Sequence, residues 1–227
     1  MKLVIFDLDQ TLVDVLPIHD KAIDKAFKAV YKTSARFSDI DFAGKEVRKA
    51  IEELAKLHKV KSKDITEKNI KKVIKSYQTA FKANVPKDLS KFVLPGVKIF
   101  LKELNGNFIA VMTGSAHHIP ELILKNADLA QYINMTICGT EARTKEEMIQ
   151  KIIEKASQKT GKHFNGREIF VIGDSTRETT AGKLYGAVTV AVHTGPHKKE
   201  QLKKAKPDFY LDDLKEHQKL LKVINSK

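Results

Sequence analysis

"KLVIFDLDQTLVD", residues 2–14, decides how the rest of the chain is read. Its first part, LVIF (3–6), is a short uninterrupted apolar run, the pattern of a strand buried on both faces of a parallel sheet. The run ends in Asp7 and Asp9, with Asp14 close behind. Carboxylates two residues apart point to one side of an extended chain. They repel each other unless a cation or a proton lies between them. A strand that had only to fold gains nothing from such crowding. The stretch therefore predicts a metal site, an acid–base site, or both, at the carboxyl end of a buried strand.

The texture changes after Leu16. Ile18, Ala22, Ala26 and Val30 recur at helical spacing, as do Val47, Ile51, Leu54 and Leu57, then Ile70, Val73, Ile74, Tyr77 and Phe81. Three or four amphipathic helices are predicted, with lysines on their outer faces. "NVPKDLSKFVLPG" (84–96) holds two prolines and reads as a return linker. Beyond it, helical and strand patterns alternate. Helix is predicted over 97–104, 120–129, 144–159 and 179–186, and strand over 108–113, 135–138, 168–174 and 187–192. One or two further helices flank a short DFYL strand at 208–211. Thr144 and Glu147 have capping-box spacing. Strand–helix alternation predicts an α/β fold, a Rossmann-like parallel sheet with helices on both faces. The core then comprises residues 1–15 and 90–227, and residues 16–89 form an inserted all-helical domain.

Open α/β sheets bind ligands beyond the carboxyl ends of their strands. Three predicted strand ends carry suitable groups: Asp7 and Asp9; Thr113, Gly114 and Ser115; and Gly173, Asp174 and Ser175, with Glu178 four residues past Asp174. If the strands are neighbours, one pocket gathers carboxylates from two of them and a hydroxyl with backbone N–H groups from the third. Hard oxygen donors of this kind suit Mg²⁺, which favours sites shared with phosphate. A carboxylate attacks phosphorus only if the repulsion between two anions is cancelled, by a metal and by a lysine ammonium. An aspartyl-phosphate then divides one hard displacement into two easier ones.

DLDQT (7–11), TGS (113–115) and GDSTRE (173–178) resemble the motifs of the haloacid dehalogenase superfamily of phosphohydrolases, and the helical insertion resembles that family's C1-type cap. The resemblance runs through essentially the whole chain. It implies Asp7 as nucleophile and Mg²⁺ ligand. It implies Asp9 as the acid that protonates the leaving oxygen and then takes a proton from water, its carbonyl also on the metal. Thr113 and Gly114 would hold the phosphoryl group, Asp174 would complete the metal site, and Lys145 would bind phosphate at a helix N-terminus, with Arg143 its rival. Gln10 stands where the family commonly has Gly. Glu178 stands where it often has Asp, fit to hold a metal-bound water or to orient Lys145. Asp14 is expected as a helix cap or a hinge residue, and His117 and His118 as polar residues opening a helix.

Asp9 favours phosphomonoester hydrolysis over carbon–halogen cleavage, because an alkoxide leaving group needs an acid. The alternatives are a phosphomutase of the same fold and a basic nucleic-acid-binding or end-processing phosphatase. The 227 residues carry 41 Lys and Arg against 28 Asp and Glu, a formal charge of +13. Lysines mixed with acids on helix faces, with few aromatics, predict a solvated surface that steers anions rather than a nucleic-acid platform. No apolar window is long enough to span a membrane. With one cysteine, Cys138, expected in the core, a cytoplasmic location fits. The expected partner is a small phosphorylated metabolite. Phosphoglycolate, sugar phosphates and nucleoside monophosphates all remain open, as does the oligomeric state.

Overall fold

The structure, a computed structural model, describes residues 1–226; Lys227, the last residue of the expected core segment, lies outside the described residues. Strand β1 (Leu3–Asp7) is followed by three helices, α1 (Leu16–Tyr31), α2 (Val47–Leu57) and α3 (Glu67–Asn84). Then come α4 (Val97–Glu103), β2 (Phe108–Thr113), α5 (Ile119–Asn126), β3 (Met135–Cys138), α6 (Lys145–Thr160), β4 (Ile169–Gly173), α7 (Thr176–Leu184) and β5 (Val188–Val192). Helix α8 (Lys199–Lys204), β6 (Phe209–Leu211) and α9 (Gln218–Ile224) close the chain.

The strands form one sheet in the order β3-β2-β1-β4-β5-β6, and each pairing is parallel. Side chains alternate across it with a period of two. Val4 and Phe6, with Val111, Phe170 and Ile172, pack under α4, α5 and α9. Leu3 and Ile5, with Ala110, Met112 and Val171, pack against α6 and α7. Both faces are therefore covered, which explains the unbroken apolar runs in the strands. The apolar stripes of α1, α2 and α3 merge with the first of these two cores. From β1 the chain builds outward to β2 and β3, then returns to place β4 on β1's other side. The order reverses between β1 and β4, and a crevice opens at their carboxyl ends.

The helical block leaves the sheet and rejoins it at one place. Val13 and Val93 form an antiparallel bridge, the Asp14 N–H donates to the Phe92 carbonyl (2.8 Å), and the Leu94 N–H to that of Leu12 (3.0 Å). Asp14 thus sits at the junction, as a hinge residue would. It does not cap α1, whose N-cap is Val15 with no side-chain bond. Gln10, in the turn that leads there, has φ +65° and so occupies the left-handed region in which glycine is favoured.

Helix α7 begins three residues before the predicted 179, because Ser175 and Glu178 form a capping box: the Glu178 carboxylate accepts from the Ser175 N–H (3.1 Å). At α6 only half of the expected box forms. Thr144 Oγ1 accepts from the Glu147 N–H (3.2 Å), while the Glu147 carboxylate reaches one residue further back, to the Arg143 N–H (2.7 Å).

Gly96, ahead of α4, has φ +83°, and a Cβ there would lie 2.3 Å from the backbone of Leu214 and Lys215. Gly96→Ala is expected to destabilise the protein by about 2 kcal/mol or more, since strain and a backbone clash add. The urea midpoint, measured by circular dichroism, checks it.

Candidate active site

The crevice is built by strand ends. Asp7 closes β1, Thr113 closes β2, and Asp174 follows β4, so the topology alone brings these three side chains to one rim. Lys145 arrives from the other direction. The Thr144 cap starts α6 at Lys145, whose side chain turns inward and is only 4% exposed. Its ammonium makes an ion pair with Asp7 Oδ1 and lies 3.0 Å from Glu178 Oε1. Arg143, its rival in the sequence, stays exposed. Glu178 reaches Lys145 from the first turn of α7, where its carboxylate serves the helix cap as well.

Asp174 is 1% exposed. Its Oδ1 accepts from Thr11 Oγ1 (3.3 Å), and its Oδ2 is buried with no hydrogen-bond partner among the described residues. A buried, unpaired carboxylate oxygen is costly. Burial raises the pKa of Asp174 well above the usual carboxylate range, and the charges of Asp7 and Glu178 add to the effect. Burial likewise pushes Asp7 up to about 7, against the pull of Lys145. Burial tends to raise Glu178 too, but the Lys145 charge and the hydrogen bonds from Ser175 and Lys145 together outweigh it and hold Glu178 below its ordinary value. The same two carboxylates raise the Lys145 pKa despite its burial. Three carboxylates thus share one ammonium in a dry crevice. The deficit of positive charge and the orphaned Asp174 oxygen fit a hard divalent cation such as Mg²⁺.

Asp9 points to a different set of partners. Its Oδ2 accepts from Thr113 Oγ1 (3.1 Å) and Ser115 Oγ (3.3 Å), and its Oδ1 lies 2.9 Å from His19 Nε2. Burial works to raise Asp9, but His19 and the two hydroxyls outweigh it and hold its carboxyl below the ordinary value. His19 is on α1 and 5% exposed; its Nδ1 is 2.6 Å from Tyr77 Oη of α3, and Phe81 stacks on its ring with centroids 4.6 Å apart. The sequence alone assigns no role to His19 or Tyr77, and places Ser115 at a strand end without its bond to Asp9. The signal for His19 was present: a polar residue in the apolar stripe that includes Ile18, Ala22 and Ala26 has to find a buried partner.

Gly114 is where the helical block touches the rim. Its carbonyl accepts from the Val47 N–H (2.9 Å), and a Cβ on it would fall 2.0 Å from the Lys45 carbonyl oxygen. Asp41, in the same segment before α2, bonds Arg177 (3.0 Å) and His197 (3.3 Å) of the core. His117 and His118 are exposed and do not line this cavity; His118 stands at the start of α5, as expected. Cys138 is fully buried. No helix among the described residues is long and apolar enough to cross a membrane.

Acids at the ends of β1 and β4, a hydroxyl at the end of β2 and a buried lysine from α6 are the arrangement of one hydrolase class. The profile of the haloacid dehalogenase-like hydrolases matches residues 4–192, and the chain belongs to that family. PpaX of Clostridium perfringens, which carries a pyrophosphatase designation, is 27% identical over 232 residues covering 100% of both chains. A phosphoglycolate phosphatase of Vibrio parahaemolyticus is 26% identical over 230 residues, 99% of this chain and 96% of its own. Among solved structures, a β-phosphoglucomutase of Clostridium difficile shares the fold with a TM-score of 0.77 at 16% identity, covering 99% of this chain and 97% of its own.

The raised pKa of Asp174 means that its carboxylate costs folding stability at any pH above the unfolded value near 4, where the unfolded chain ionises it freely. Metal-free Asp174→Asn is therefore expected to melt about 2–4 °C above wild type at pH 8 and level with it below about pH 4. Mg²⁺ should raise the wild-type melting temperature at pH 8 and leave that of the variant unchanged. Scanning calorimetry reads both.

Proposed function

We propose that the chain is a Mg²⁺-dependent phosphatase that hydrolyses small phosphomonoesters through a phosphoryl group carried on Asp7. The observation that supports this reading best is the meeting of Asp7, Lys145 and the unpartnered Asp174 oxygen at the β1/β4 crevice. Asp7, Asp174 and the Asp9 backbone carbonyl would hold the ion, and its charge would cancel the repulsion between nucleophile and phosphate.

The residues divide the work. Lys145 pulls Asp7 towards its ionised form against the burial that pushes it up to about 7, and offers positive charge to the phosphate oxygens. An Asp7 oxygen attacks phosphorus, and the bond from phosphorus to the leaving oxygen breaks. That oxygen takes the proton held between Asp9 and His19, whose atoms lie 2.9 Å apart. Thr113 and Ser115 orient Asp9 and present hydroxyls to the transferring group. A water then attacks phosphorus, gives its proton to Asp9, and releases phosphate and Asp7. Residues 16–89 act as a cap that closes on the core residues through the two adjacent crossings at 12–15 and 92–94, excluding bulk water. Val47 docking on Gly114 and Asp41 docking on Arg177 belong to the closed state.

The phosphatase designations of the relatives support this activity, and the mutase neighbour attests only the shared fold. Asp7→Asn is expected to lower Mg²⁺-dependent phosphate release by about a thousandfold or more, across a panel of phosphorylated metabolites, with the fold retained by circular dichroism. Activity within tenfold of wild type overturns the assignment. Asp9→Asn should accumulate a covalent phosphoenzyme from acetyl phosphate, whose leaving group needs no acid, and release phosphate slowly; intact-protein mass spectrometry detects it as an 80 Da adduct, the mass of the added phosphoryl group by general chemistry.

A further inference from the structure

We infer that the natural substrate's leaving alcohol is apolar, an alkyl or aryl group rather than a hydroxy acid or a sugar; this rests on the phosphatase reading above. The cavity that contains Asp7, Asp9 and Thr113 is closed on the side away from the sheet by Leu16, Phe37, Phe42, Val47, Ala50 and Tyr77. Of these, Phe37, Val47, Ala50 and Tyr77 are buried, while Leu16 and Phe42 are partly exposed.

The polar groups of that wall are already engaged. Tyr77 Oη is bonded to His19, which is bonded to Asp9. Glu46, between the lining residues Lys45 and Val47, does not itself line the cavity: its carboxylate turns back to cap α2, accepting from the N–H groups of Arg48 (2.8 Å) and Lys49 (3.3 Å). Lys45 is the one lysine or arginine lining the cavity, and its ammonium is ion-paired with Glu53. A leaving group with a carboxylate would have to take Lys45 from Glu53 or lose its hydration uncompensated. A polyol would leave hydroxyls facing aromatic carbon. Polar groups buried without partners lower affinity, whereas methylenes against the same wall raise it.

Matched pairs of esters test the inference with the full-length protein and Mg²⁺. Ethyl phosphate and phosphoglycolate differ by a carboxylate, propyl phosphate and glycerol 1-phosphate by two hydroxyls. The polar member of each pair has the better leaving group, so intrinsic reactivity works against the expected order. The alkyl ester is expected to have the higher kcat/KM in each pair by about tenfold or more, and butyl phosphate should exceed ethyl phosphate by about tenfold or more. Phe42→Lys, a substitution at a partly exposed position, should raise kcat/KM for phosphoglycolate relative to ethyl phosphate by about tenfold. Equal or higher kcat/KM for the polar esters in wild type overturns the inference while the phosphatase reading stands. Failure to hydrolyse any ester, acetyl phosphate included, overturns the phosphatase reading and the inference with it.

Discussion

Everything at the crevice depends on one ammonium held between two carboxylates out of water. Lys145 pairs with Asp7 at the end of β1 and with Glu178 at the start of α7, and all three side chains are almost fully buried. A charge so enclosed is tolerable only when its partners are close and their remaining atoms are satisfied. The α7 cap takes up Glu178's other oxygen, and the Thr144 cap fixes where Lys145 leaves its helix. The two helices that cover one face of the sheet are therefore positioned by the same contacts that set the charge of Asp7. With Asp174 counted, three carboxylates face one ammonium, two positive charges short when all are ionised, and that shortage suits a divalent cation.

The helical block does more than cover the crevice. His19 and Tyr77 come from different helices of the block and meet Asp9 in a line of hydrogen bonds. An acid at the core rim is thus aimed by side chains that travel with the block. If the block moves, Asp9 loses its partner at the same moment that the cavity opens to water. The same block supplies the apolar wall: Leu16 from α1, Tyr77 from α3, and Phe37 and Phe42 from the segment between α1 and α2.

Much of this was legible from the residues. The β1 run and its acids, the order of the alternating elements and the convergence of three strand ends follow from period and from the rule about open sheets. Lys145 over Arg143 did not follow, because which of two nearby cations turns inward depends on where the helix cap falls. The spacing of Thr144 and Glu147 predicts a capping box, yet the Glu147 carboxylate serves Arg143 instead. His19 escaped for the opposite reason: its helix was correctly placed, but a histidine within an apolar stripe reveals its partner only when Asp9 is brought beside it in space. Ser115 was quoted as part of a strand end, and its bond to Asp9 depends on a turn that spacing does not specify.

The bridge between Val13 and Val93 has a consequence for how such a protein can change over time. Both ends of a long inserted segment emerge side by side from the same edge of the scaffold. The entropy of closing the loop grows only with the logarithm of its length, so the parent sheet is nearly indifferent to what is spliced between those two valines. A lineage can lengthen, shrink or exchange the intervening piece, while the Asp7–Lys145–Glu178 cluster below, held by core residues alone, keeps its geometry.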